Sequence, residues 1–112
     1  MYRATLWKLN IQNKREAIMS PDERKKIIAN RFILEDENRM VRAELSVLKK
    51  GPMLALYDEN GTVRAELSLD DNEPMLALYD KNGKPRAGLA VLKKGPGLAL
   101  CDENGKAIWE AP

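Results

Sequence analysis

Three tetrapeptides of related composition are the first place to look for chemistry: Asp58-Glu59-Asn60-Gly61, Asp80-Lys81-Asn82-Gly83 and Asp102-Glu103-Asn104-Gly105. Their carboxylate and amide oxygens suit a calcium-binding loop, which alternates ligands over about twelve residues and closes on a bidentate Glu. Counted from Asp58, the position that should hold that Glu is Leu69, so the ligand set breaks off. Asn-Gly between alternating apolar segments is also the strongest short signal for a β-hairpin, and a turn accounts for every residue of the motif. The other chemical options are thinner. With no histidine in the chain, Ser-His-Asp and Cys-His catalysis, histidine-bound zinc and a histidine pH switch are excluded. Cys101 is the sole cysteine; it has no disulfide partner and no base beside it in sequence. Glu44 and Glu66 sit in equivalent positions beside arginines. A general acid and base need two different environments, so these read as structural acids. Gly95-Pro96-Gly97 lacks the Lys-Ser/Thr ending of a phosphate loop. No catalytic residue, metal ligand or cofactor site emerges, and the chain reads as a non-enzyme.

The turns recur because the sequence does. Cut at four leucines, the chain reads as copies 34–55, 56–77 and 78–99 with a remnant at 100–112. The first copy agrees with the second at 14 of 22 positions and with the third at 14; the second and third agree at 11. No gap is needed, so the 22-residue period is the dominant feature. Each copy holds two apolar runs separated by two turn signals. One is the Asp-x-Asn-Gly element; the other is Lys49-Lys50-Gly51-Pro52, echoed at 93–96 and replaced by Asp70-Asp71-Asn72-Glu73-Pro74 in the middle copy. A turn every eleven residues is the spacing of an all-β chain.

Register follows from the alternation. A two-residue loop at Asn60-Gly61 sets Leu56 against Ala65, Leu54 against Leu67 and Tyr57 against Arg64. An odd loop would set leucines against charges, so an even loop is expected. The same test at Asp71-Asn72 pairs Leu67 with Leu76 and Ala65 with Leu78. The predicted fold is an antiparallel meander with strands near 31–36, 41–47, 53–58, 63–69, 75–80, 85–91, 97–102 and 107–110. A β-solenoid with one coil per copy is the alternative; its turns must cross about 10 Å between layers, which suits Asn-Gly less well. In the meander one face collects Leu34, Leu45, Leu54, Leu56, Leu67, Leu76, Leu78, Leu89, Leu98 and Leu100, and this is the expected buried face and oligomer interface. The other face carries Tyr57, Arg64, Tyr79 and Arg86, with Arg64 on Tyr57 and Arg86 on Tyr79 as expected stacking pairs. The first copy has Arg39 where the others have glycine, so its turn should be the most irregular.

Residues 1–30 form a distinct N-terminal arm. The first 32 residues carry eight Lys/Arg against three Asp/Glu; the remaining eighty carry eleven against fourteen, giving the net +2 of the chain. Ser20-Pro21-Asp22-Glu23 has the capping pattern of a short helix over about 21–30. Trp7, Leu9 and Ile11 alternate with polar residues over 4–12, which suits a strand without excluding a helix. The arm's charges are not clustered and no nucleic-acid motif accompanies them, so nucleic acid is not an expected partner. No apolar run reaches the ~18–20 residues of a membrane span, and no secretory pattern opens the chain, so a cytoplasmic location is expected.

The repeat pattern Leu-x-Asp-x-Asn-Gly-x-x-Arg-Ala-x-Leu, then Gly-Pro-x-Leu-Ala-Leu, then a closing Gly-Lys-Ala-Ile-Trp, resembles a group of prokaryotic tandem β-hairpin repeat proteins of unassigned function. Leu-Tyr-Asp-x-Asn-Gly at 56–61 and 78–83 is also similar to YD-repeat proteins, whose hairpins build encapsulating shells. Both resemblances imply an architecture and neither implies an activity. The function expected from the residues is a structural or interaction module that self-associates through its leucine face, three copies being preferred over two. The alternative is a carbohydrate- or peptide-binding surface built on Tyr57, Arg64, Tyr79, Arg86 and the Asp/Asn turns.

Overall fold

A computed structural model describes residues 25–112. They form one all-β sheet in which each strand pairs antiparallel with its sequence neighbours: β1 (Arg31–Glu35), β2 (Val41–Leu48), β3 (Gly51–Tyr57), β4 (Val63–Asp70), β5 (Glu73–Tyr79), β6 (Pro85–Leu92), β7 (Gly95–Cys101) and β8 (Ala107–Ala111). The sheet is open, with β1 and β8 as its edges. This is the meander of the sequence reading. The solenoid does not form, because each turn returns the chain to the adjacent strand rather than to a second layer. Among the described residues no helix is long and apolar enough to cross a membrane.

The arm is only partly described. The segment 4–12 and the start of the helix expected over 21–30 lie outside the described residues. Residues 25–30 contain no helical turn. Ile27 and Ile28 are exposed there, so no packed face offsets the cost of nucleating so short a helix.

Leucine pairing dictates the central register. Leu45 lies opposite Leu54, Leu54 opposite Leu67, Leu67 opposite Leu76, Leu76 opposite Leu89, and Leu89 opposite Leu98. The turns reach that register by a route the alternation did not reveal. Gly61 N–H donates to the Asp58 carbonyl at 3.0 Å, and Asp58 N–H donates to the Thr62 carbonyl at 2.9 Å. Gly61 has φ 84°, so the loop is a three-residue one, 59–61, closed by a left-handed glycine. An odd loop alone would invert the next strand. The inversion is undone at once: Tyr57 pairs with Val63 and Leu56 with Ala65, leaving Arg64 as the extra residue of a β-bulge. The even loop and the Tyr57–Arg64 pairing are therefore corrected, while the leucine face stays as expected. The same loop and bulge recur after β1, β5 and β7, with Arg42, Arg86 and Ile108 as the extra residues.

The turn without glycine is not irregular. Asp36 N–H reaches the Met40 carbonyl at 2.9 Å and Arg39 N–H the Asp36 carbonyl at 2.9 Å, as in the other copies. Arg39 instead takes φ 66°, a conformation that penalises a side chain with a Cβ. At the opposite margin the loops hold two residues, between Leu48 and Gly51, Asp70 and Glu73, and Leu92 and Gly95. In the middle one Asp71 and Asn72 are both left-handed, at φ 53° and 73°, as a type I′ turn requires. Gly51 has φ 142° and lies so close to β4 that a Cβ would collide with the Leu69 carbonyl oxygen; Gly95, at φ 133°, faces open space.

Two results follow for urea denaturation. Arg39→Gly should stabilise the fold by about 1 kcal/mol, the relief of one left-handed residue. Gly51→Ala should destabilise it by clearly more than Gly95→Ala, because only the first adds a backbone clash to the strain. Equal losses for the two glycine variants would contradict the close approach of the first Lys-Lys turn to β4.

Candidate interaction surface

The alternation of the strands sends two different populations of side chains to the two faces. On one face stand the leucines. Nine of the ten expected interface leucines are exposed in this chain, from 37% at Leu54 to 65% at Leu34; Leu98 alone is half-buried. A trough of about 350 Å³ runs between the leucine columns, walled by Leu45, Leu54, Leu67 and Leu69 and by Pro52 and Pro74.

The opposite face is the better covered one. Ala55 is 1% exposed and is the one buried hydrophobic residue among the described residues, with Ser46 and Glu44 buried beside it. Short side chains there lie below the level of longer neighbours that pair over them. Arg31 Nε donates to Glu44 Oε2 at 2.7 Å, and the Tyr79 hydroxyl donates to Glu66 Oε1 at 2.9 Å. Burial, then the hydrogen bond to Glu66 and its charge, push the Tyr79 phenol above its ordinary pKa. Alternation alone makes the leucine face the expected buried one. Within one chain it is the exposed one, since a single layer has nothing to set against it.

A third arrangement was not foreseen. Each bulge arginine crosses to the next hairpin and donates Nε to a carbonyl where the backbone ladder has ended. Arg42 reaches the Tyr57 carbonyl at 3.1 Å, Arg64 that of Tyr79 at 2.8 Å, and Arg86 that of Cys101 at 2.7 Å. The same guanidinium faces the aspartate that opens its own turn, at 3.5 Å for Asp36, 3.6 Å for Asp58 and 3.5 Å for Asp80. Arg64 and Arg86 thus bond the following strand's backbone, where tyrosine stacking was expected. The signal was present in the sequence as an arginine six residues after each of those three aspartates. The last copy has Ile108 at that place, so the series ends at β8.

The aspartates are used up in the same device. Asp58 Oδ1 accepts the N–H groups of Asn60 at 2.9 Å and Thr62 at 3.0 Å, while Oδ2 faces Arg64. Asp36 and Asp80 repeat this with Asn38 and Met40, and with Asn82 and Lys84. Two backbone N–H groups and a guanidinium saturate each carboxylate, which explains the motif as a turn lock. Among the described residues no group of three or more Cys, Asp or Glu is placed to hold a metal ion. Cys101 is a half-buried free thiol. No family model and no curated protein matches this sequence.

The lock has a pH signature. The N–H bonds from Met40, Thr62 and Lys84 hold the Asp36, Asp58 and Asp80 carboxyls below their ordinary pKa; partial burial opposes this, and the second N–H and the arginine add to it. A carboxyl depressed in the folded state stabilises above its unfolded pKa, and that contribution is lost as pH falls through the folded value. Stability should therefore hold down to about pH 4 and fall below it. Asp58→Asn should weaken the turn at neutral pH and flatten part of this acid loss in thermal melts. Arg64→Leu should cost about 1 kcal/mol through the stranded Tyr79 carbonyl. A variant as stable as the parent would remove the arginine from the account.

Proposed function

We propose that this protein is a non-catalytic structural module that associates with copies of itself through the leucine face. The observation that carries the reading is the exposure of that face in a chain whose described residues bury a single apolar side chain, Ala55. Monomeric proteins rarely leave contiguous apolar patches of more than a few hundred Å² in water. At the usual strand spacing and rise, eight strands of this length present about 800 Å². That is the share each partner contributes to a standard stable interface. The trough between the leucine columns offers a second sheet places to seat its own side chains, as packed sheets do. Closed symmetry is the common outcome, with two sheets face to face or three enclosing a leucine core.

The alternative, a carbohydrate or peptide surface on Tyr57, Arg64, Tyr79 and Arg86, has less support. Arg64 and Arg86 are engaged with backbone carbonyls and Tyr79 with Glu66, which leaves few free polar groups to meet a ligand. Association is tested by light scattering on the parent and on Leu56→Asp with Leu78→Asp. The parent should give a multiple of 12.7 kDa, and the variant should fall to that mass or to insoluble chain. A parent that stays at 12.7 kDa at tens of micromolar would end this reading.

A further inference from the structure

The two margins of the sheet carry different charge patterns, and these decide how two leucine faces can meet. One margin holds the loops between β2 and β3, β4 and β5, and β6 and β7. Their charges run Lys49-Lys50, then Asp70, Asp71 and Glu73, then Lys93-Lys94. Lys50 and Asp70 approach to 3.8 Å, but both side chains are largely in water, where such a pair is weak and remains open to other partners. The other margin holds the Asp-x-Asn-Gly turns and their relative at 36–40. Its first turn carries Asp36 and Glu37 with Arg39, its second Asp58 and Glu59, its third Asp80 with Lys81 and Lys84, and its fourth Asp102 and Glu103 with Lys106. Since Asp36 and Asp58 are held by their own turns and arginines, Glu37 and Glu59 are the free acids of the first two.

Two sheets can stack face to face with strands nearly aligned in two ways. With the two-fold axis along the strands, like margins coincide and the strand order reverses. Lys49-Lys50 then lies on the partner's Lys93-Lys94, and the Asp70–Glu73 turn lies on its own copy, three acids against three. With the axis across the strands, the strand order is kept and the margins exchange. Lys49-Lys50 then falls between the partner's acidic turns at 36–40 and 58–62. The Asp70–Glu73 turn falls between the partner's turns at 58–62 and 80–84, with Glu59 on one side and Lys81 and Lys84 on the other, instead of directly on three acids. Lys93-Lys94 meets turns of mixed sign.

Both arrangements bury the same leucines, so apolar area does not choose between them. Charge does, because like-charge juxtaposition is what suppresses wrong pairings. A prism of three sheets has its axis along the strands and gathers like margins at one end, so the same pattern disfavours it. We infer that the chain pairs with one second copy of itself, leucine face to leucine face, with the margins exchanged and the strand order kept. This inference rests on the self-association proposed above and adds its stoichiometry and orientation.

The test uses full-length chains carrying Cys101→Ser and two further cysteines. One variant holds Lys50→Cys with Glu59→Cys, and the other Lys50→Cys with Lys94→Cys. Each is treated with a bifunctional maleimide spanning about 10 Å, the spacing of packed sheets. Within one chain both pairs are about 20 Å apart, across the strand length in the first and over four strand spacings in the second, so cross-links report contacts between chains. Light scattering on the same samples gives the mass. The expected result is twice 12.7 kDa, with covalent dimer formed readily by the Lys50/Glu59 variant and not by the Lys50/Lys94 variant. Dimer with the reverse cross-linking pattern, or a mass of three chains, would overturn the inference and leave self-association standing. A monomeric mass would overturn both.

Discussion

Leu45 opposite Leu54, Leu67 opposite Leu76 and Leu89 opposite Leu98 put a leucine pair at the centre of every hairpin closed by a two-residue loop. A slip of one residue would send those leucines to the other face and bring Glu44, Glu66 and small residues or methionines in their place. The turns and bulges among the described residues hold that register. The three-residue turns need a bulge to restore it, and each bulge leaves a gap in the backbone ladder. Arg42, Arg64 and Arg86 fill three of those gaps with a guanidinium N–H where a main-chain N–H is lost. The aspartates that orient the turns then stand in reach of the same arginines. Turn, bulge and arginine are one unit repeated with the 22-residue period.

A sheet one layer thick sets the energetic problem. The hydrophobic effect rewards area removed from water, at roughly 25 cal/mol per Å². Here the leucines that the register aligns stay in contact with solvent. What one chain does accomplish is local: cross-strand side-chain contact, strand hydrogen bonding, and a second face partly covered by Arg31–Glu44 and Tyr79–Glu66 over small residues, with Ile33, Leu48 and Leu92 still exposed on it. The larger part of the apolar area stays exposed in the single chain. On the proposed self-association, folding and association would be two parts of one burial event, with the surface charges selecting the orientation.

Much of this could be read from the sequence. The period, the eight strands, their central register and the composition of the two faces follow from alternation and turn residues. The division of parity between loop and bulge could not, because alternation counts only the sum. The arginine bonds were missed for the same reason: Arg64 was placed opposite Tyr57, whereas the bulge hands it to β5. That the leucine face is the exposed one also lay beyond a single-chain pattern, since alternation separates faces without saying what covers either. The helix signal at Ser20-Pro21-Asp22-Glu23 shows the limit of local rules: at 25–30, where Ile27 and Ile28 are exposed among the described residues, the chain is not helical.

The central claim is that the leucine face is covered by another copy of this chain, so that stability depends on how many copies are present. Association stabilises the folded form by mass action and makes the melting temperature depend on protein concentration. The direct measurement is calorimetric unfolding of the parent chain over about a hundredfold range of concentration. The account predicts a melting temperature that rises steadily with concentration in a single transition. A melting temperature independent of concentration, with the chain monomeric throughout, would mean that the exposed leucines are stable in water as they stand and would contradict it.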